Sequence, residues 1–278
     1  MATITVDSEN STPIDLYYED HGTGDPVVLI HGWPLSGRSW EKQVPALIEA
    51  GYRVITYDRR GFGESSKPWT GYEYDTLARD LDRLLTKLDL RNVTLVGFSM
   101  GGGEVARYLG TCGAGRVRRT AFVSAVTPYL LKASDNPAGV DLGVFDGIRA
   151  ALNGDRLAFV SSFFQNFYNA DVLRGTRLSD DVLRLSWAIG SGASPKGTHD
   201  VVAAWGTDFR ADLGRITVPT LVVHGDADRI VPLEVSGQRM PALVKGSRLA
   251  VIKGAPHGLN WTHAEEVNQA LLDFLRTR

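Results

Sequence analysis

The sequence predicts an α/β protein: an eight-stranded, mostly parallel sheet with helices on both faces and a helical insertion in its second half. Three observations predict it. Short apolar runs alternate with stretches of helical periodicity through 1–127 and again through 213–278. A Gly-x-Ser-x-Gly at 97–101 joins a β-branched apolar run to a helical one. Between 128 and 212 no strand-like run occurs, while apolar residues keep helical spacing. Strands alternating with helices build a parallel sheet, because each crossover lays its helix on a sheet face.

Ala2–Val6 and Ile14–Glu19 alternate apolar and polar around a turn-rich stretch, which predicts an antiparallel hairpin. Pro26–Ile30 is a continuous apolar run, as in a strand buried on both faces. After His31-Gly-Trp-Pro, Ser39–Ala50 shows helical spacing and stops at Gly51. Arg53–Tyr57 reads as a strand and Tyr74–Leu88 as an amphipathic helix. Val93–Val96 is the strand before Ser99, and Glu104–Leu109 lies in the helix after it. Arg119–Val126 reads as the next strand. The insertion carries helical sets at Val144, Phe145 and Ile148, at Leu157 to Phe167, and at Val182 to Trp187. Thr220–Val223 and Arg248–Ile252 are then strands, with helices over Leu233–Leu243 and Ala264–Leu275. An insertion over the carboxyl ends of the strands is where a small ligand would be enclosed.

Composition narrows the function classes. The net charge is −2 and 43% of residues are hydrophobic, which suits a folded core and disfavours a nucleic-acid surface. The single cysteine, Cys112, excludes an internal disulfide and a cysteine-based metal cluster; it reads as small filler near a helix end. No apolar run approaches the roughly 20 residues of a membrane span. The polar N-terminus does not resemble a signal peptide, so a soluble cytoplasmic protein is expected.

Ser99 is the candidate nucleophile: the strand-to-helix turn exposes its hydroxyl at the sheet's end, and Gly97 and Gly101 let strand and helix approach. A serine needs a base, and that base needs an orienting acid. Of six histidines, His257 in Gly-Ala-Pro-His-Gly leaves the last strand and completes the order Ser, Asp, His. Asp226 and Asp228 both follow the strand Thr220–Val223; Asp226 is placed to cap its loop, leaving Asp228 as the acid. The backbone N–H groups of Met100 and Trp33 are the candidate oxyanion donors, each worth about 3–4 kcal/mol in the transition state. Pro34 has no N–H to offer.

Gly97-Phe-Ser-Met-Gly, His31-Gly-Trp-Pro, Tyr57-Asp-Arg-Arg-Gly-Phe-Gly, Thr207-Asp-Phe-Arg and His224-Gly-Asp-Ala-Asp together resemble the α/β-hydrolase superfamily. Within it they resemble the cofactor-free haloperoxidases, aryl esterases and a γ-lactamase. The resemblance spans nearly the whole chain. It implies the α/β-hydrolase fold, with a core domain of 1–127 and 213–278 and a helical cap of 128–212. It implies a Ser99/Asp228/His257 triad with Trp33 and Met100 as oxyanion donors, no metal or other cofactor, and a homo-oligomer. Substrate contacts by the same resemblance are Trp33, Val126, Leu130, Phe163, Trp205 and Ile230. Pro34 matches members competent in perhydrolysis.

The expected activity is hydrolysis of small carboxylic esters, aryl esters and lactones included, through an acyl-serine. Hydrogen peroxide would be a second substrate in a perhydrolase and haloperoxidase side reaction. A γ-lactam amidase with the same triad and a non-catalytic ligand receptor on the same fold are the alternatives. Haloalkane dehalogenases and epoxide hydrolases resemble the fold but carry Asp where this chain has Ser99. A nicotinamide site is disfavoured, since Gly61-Phe-Gly-Glu-Ser-Ser lacks the third glycine.

Overall fold

The computed structural model describes residues 2–277. Eight strands form one sheet: β1 (Ala2–Glu9), β2 (Thr12–His21), β3 (Pro26–Ile30), β4 (Arg53–Tyr57), β5 (Val93–Phe98), β6 (Val117–Val123), β7 (Thr220–Gly225) and β8 (Arg248–Ile252). Their order is β1-β2-β4-β3-β5-β6-β7-β8. β2 pairs antiparallel with both β1 and β4, and the pairs from β4 to β8 are parallel. The β1–β2 hairpin is longer than its alternation suggests. Asn10 and Ser11 take positive φ values of 49° and 66°, which makes a two-residue turn and lets the strands run up to it. A bulge between Thr5 and Asp7 shifts the register.

The helices are α1 (Gln43–Glu49), α2 (Tyr74–Lys87), α3 (Met100–Thr111), α4 (Leu142–Phe167), α5 (Ala170–Leu173), α6 (Asp180–Gly192), α7 (Pro195–Ala204), α8 (Arg210–Leu213), α9 (Met240–Leu243), α10 (Leu259–Thr262) and α11 (Ala264–Arg276). Strand alternation divides the core in two. Val28 and Ile30 of β3, with Ile55, Leu95 and Phe122, pack with Leu77, Leu81 and Leu84 of α2 and Val105 and Leu109 of α3. Val27 and Leu29, with Val54, Val96, Phe98 and Val223, pack with Leu47 of α1 and Val267, Leu271 and Phe274 of α11. Consecutive side chains of one strand point to opposite faces, so a run apolar at every position needs both layers.

Two sequence expectations are corrected. Leu233–Leu243 is two 3-10 turns, Leu233–Val235 and Gly237–Arg239, followed by the short α9. Ser236 turns inward there to donate to Ala125 O at 2.6 Å, and Gly237 packs so closely on His224 that a Cβ would lie 2.8 Å from its Nδ1. β6 stops at Val123. Ser124, at φ 41°, turns Ala125 and Val126 out of the ladder, and Val126 N–H donates to Ser99 O at 3.2 Å. The helical sets read at Val144–Ile148 and at Leu157–Phe167 fall on either side of a backbone break in α4 at Asp155, whose carboxylate accepts from Ala158 N–H and caps the second half. Val144, Leu157 and Trp187 of the insertion are exposed. Cys112 is likewise exposed at the end of α3. Among the described residues, no helix is long and apolar enough to cross a membrane.

Candidate active site

β5, a sharp turn and α3 present Ser99. Its φ of 54° and ψ of −119° lie where a side chain is seldom tolerated, at a cost on the order of 1–3 kcal/mol. The turn needs its glycines. A Cβ on Gly97 would lie 2.5 Å from Gly101 O, and one on Gly101 would lie 2.4 Å from Ile30 O. A Cβ on Gly32 would lie 2.9 Å from Ser99 Cβ, so the loop after β3 runs directly against the serine.

The structure brings three distant side chains together at the carboxyl ends of the strands. Ser99 Oγ is 2.8 Å from His257 Nε2, and His257 Nδ1 is 2.7 Å from Asp228 Oδ2. Asp228 Oδ1 accepts from the N–H groups of Ile230 and Val231, at 2.9 and 2.8 Å. With both oxygens engaged, the carboxylate can accept Nδ1–H only at Oδ2, which leaves Nε2 with its lone pair toward the serine. Burial works to raise the Asp228 carboxyl, but His257, the hydrogen bonds and His224 outweigh it and hold it well below the usual carboxylate range. The imidazole sits between the rings of Phe98 and Phe167, with centroids 5.3 and 5.1 Å away. Asp226 accepts from Gly254 N–H at 2.6 Å, so it ties down the loop after β8, which carries His257, rather than capping its own loop as the sequence suggests.

Among the described residues, the N–H groups of Trp33 and Met100 have no hydrogen-bond partner. Met100 opens α3, whose dipole adds positive potential at that end. Two unpaired N–H groups on the turns flanking a serine can stabilise negative charge on an oxygen bound between them.

A cavity of about 260 Å³ opens on Ser99. Trp33, Val126, Leu130, Phe163, Trp205 and Ile230 all line it. So do Val140, Val144, Phe145, Ile148 and Phe159 from the insertion, together with Ser162, Asn166, Arg229 and Val231, none of which the sequence singles out for the site. The Trp33 ring meets Phe163 and Trp205 edge to face at 5.0 and 5.1 Å, and its Nε1–H donates to Thr198 O. The walls are mostly apolar and sized for a small ligand.

Behind the loop lies a second group that sequence reasoning missed: His31, Arg59, Glu104 and Tyr57, all fully buried. Burial and the Arg59 charge hold His31 well below the ordinary histidine value, so the folded chain keeps it neutral. Its folded-state value is the lower one, so the unfolded chain alone takes up this proton below about pH 6.5. Stability is therefore complete above that pH and falls below it, by up to about 1.4 kcal/mol per pH unit from this group. Thermal melts from pH 8 to pH 5 should show the fall, and His31→Asn should flatten it; equal slopes in both proteins would refute the assignment.

The profile of the α/β-hydrolase fold matches residues 25–264. The chain is 59% identical to a putative non-heme chloroperoxidase of Synechocystis sp., over 99% of its own length and 100% of that protein's. It is 36% identical to a bifunctional esterase/perhydrolase of Acinetobacter calcoaceticus, over 95% of this chain and 97% of the other. A crystal structure of bromoperoxidase from Bacillus anthracis superposes with a TM-score of 0.95 at 55% identity, covering 99% of each chain. The sheet order, the strand–serine–helix turn and these likenesses agree: the chain belongs to the α/β-hydrolase family, as an enzyme of its non-heme haloperoxidase branch.

Proposed function

We propose that this enzyme hydrolyses small carboxylic esters, aryl esters and lactones among them, through an acyl-serine, and that hydrogen peroxide can replace water in the second half-reaction. The observation that carries the reading is the continuous chain from Ser99 through His257 to Asp228 at 2.8 and 2.7 Å, beside a small apolar cavity. Ser99 Oγ attacks the carbonyl carbon as its proton passes to His257 Nε2. The carbonyl oxygen gains negative charge between the N–H groups of Trp33 and Met100. The alkoxide or phenolate leaves with the proton from His257. Water then attacks the acyl-serine and regenerates Ser99. With peroxide as the attacking group the product is a peracid, which oxidises halide to hypohalite and returns the carboxylic acid. The esterase/perhydrolase relative supports this pairing of activities. In this reading 128–212 acts as a cap over the core, and its aromatic residues wall the acyl group.

Stopped-flow mixing with p-nitrophenyl acetate should release one phenolate per enzyme in a burst, with one acetyl group found on the Ser99 peptide by mass spectrometry. Acetate, peroxide and bromide together should brominate monochlorodimedone, and omission of acetate should suppress it. An enzyme that turns over the ester without ever carrying an acetyl group would end the acyl-serine reading.

A further inference from the structure

The loop that carries Trp33 is anchored by a buried polar chain that takes no part in the steps above. Arg59 N–H donates to His31 Nε2 at 3.0 Å. A backbone amide can only donate, so Nε2 carries the lone pair and Nδ1 the hydrogen. Nδ1–H donates to Gly32 O at 2.8 Å, and Leu35 N–H donates to the same oxygen at 3.0 Å. The Gly32–Trp33 peptide is trans, so its C=O and N–H project from opposite sides of one plane. Two donors on the oxygen therefore fix the direction of the Trp33 N–H.

The chain continues to the nucleophile's helix. Arg59 Nη2 donates to His31 O and Nε to Glu104 Oε2, each at 2.8 Å, and Tyr57 OH donates to Glu104 Oε1. Glu104 lies on α3, whose first residue supplies the Met100 N–H. Burying an ion pair costs hydration that the attraction commonly fails to return, and apolar side chains of equal volume do as well for stability. Apolar side chains cannot orient a peptide plane. We propose that His31, held by Arg59 and Glu104, is a positioning residue that aims the Trp33 N–H at the developing oxyanion. This rests on the serine-hydrolase reading above.

The test uses variants that separate the two ring nitrogens. Asn places its amide nitrogen near the His Nδ1 position, whereas Gln places its terminal group near Nε2. A trifluoromethyl ketone, whose serine adduct carries the oxyanion, reports the donors directly. His31→Gln should weaken ketone inhibition and lower kcat by roughly tenfold to a hundredfold, with KM within about twofold. His31→Asn should restore most of both. Arg59→Lys, which drops the bond to His31 O, should move ketone inhibition in the same direction and serves if His31→Gln does not fold. A merely structural role would lower melting temperature and active fraction, leaving the ketone constant per active enzyme unchanged in every variant, and that result would overturn the proposal. Failure of the wild-type enzyme to form the ketone adduct would instead overturn the serine-hydrolase reading.

Discussion

Replacing Ser99 with alanine is expected to lower kcat/KM for p-nitrophenyl acetate by roughly 10⁴- to 10⁶-fold. Under the proposed function the residue supplies the atom to which the acyl group bonds, so no neighbouring side chain can take its place. The backbone makes a second expectation. At φ 54° and ψ −119° both serine and alanine are strained, whereas glycine is not. Ser99→Ala and Ser99→Gly should thus be equally inactive, while Ser99→Gly melts higher, by the equivalent of about 1 kcal/mol or more. Kinetics and thermal melts on the three proteins check both halves. An alanine variant with wild-type turnover would show that the hydroxyl is not the nucleophile. Equal melting of the alanine and glycine variants would show that the elbow is not strained.

Such a trade between stability and activity explains why this part of the fold is legible in sequence. A strained serine needs close backbone approach, and close approach needs glycine, so Gly97 and Gly101 mark the turn by residue type alone. The parallel sheet is legible for a related reason: β3, β5 and β7 are buried on both faces, which leaves the apolar runs Val27–Ile30, Leu95–Val96 and Leu221–Val223 in the sequence. The buried group behind the loop that carries Trp33 is not legible. Arg59 and Glu104 have the residue types of a surface loop and a solvated helix face, and only the tertiary fold pairs them at 2.8 Å. Likewise Val126 continues an apolar run, and nothing local announces that Ser124 takes a positive φ and carries it out of β6 to the serine. The end of Leu233–Leu243 as a helix is set by contacts with Ala125 and His224 that are far away in the chain.

Asp228→Asn should lower kcat by roughly 10³- to 10⁴-fold with KM within about threefold, and the hydrogen bonds around the carboxylate say why. Oδ1 accepts from two backbone N–H groups, those of Ile230 and Val231. An asparagine must put its carbonyl oxygen there, because its NH₂ would face two donors. The NH₂ is then forced toward His257 Nδ1, where Asp228 Oδ2 now sits at 2.7 Å. A donor at that place can be met only by a lone pair on Nδ1, so the hydrogen moves to Nε2 and the imidazole can no longer take the proton of Ser99. The apolar cavity is untouched, which is why substrate binding survives. His224 makes the exchange worse still, since its Nε2, 3.4 Å from Asp228 Oδ2, would also face the new NH₂. Steady-state kinetics on the variant, with the downfield proton resonance of Nδ1–H followed by NMR, gives the check. A variant within tenfold of wild-type kcat, or one that keeps the resonance, would mean that the carboxylate does not set the tautomer and that His257 is oriented by its aromatic neighbours alone.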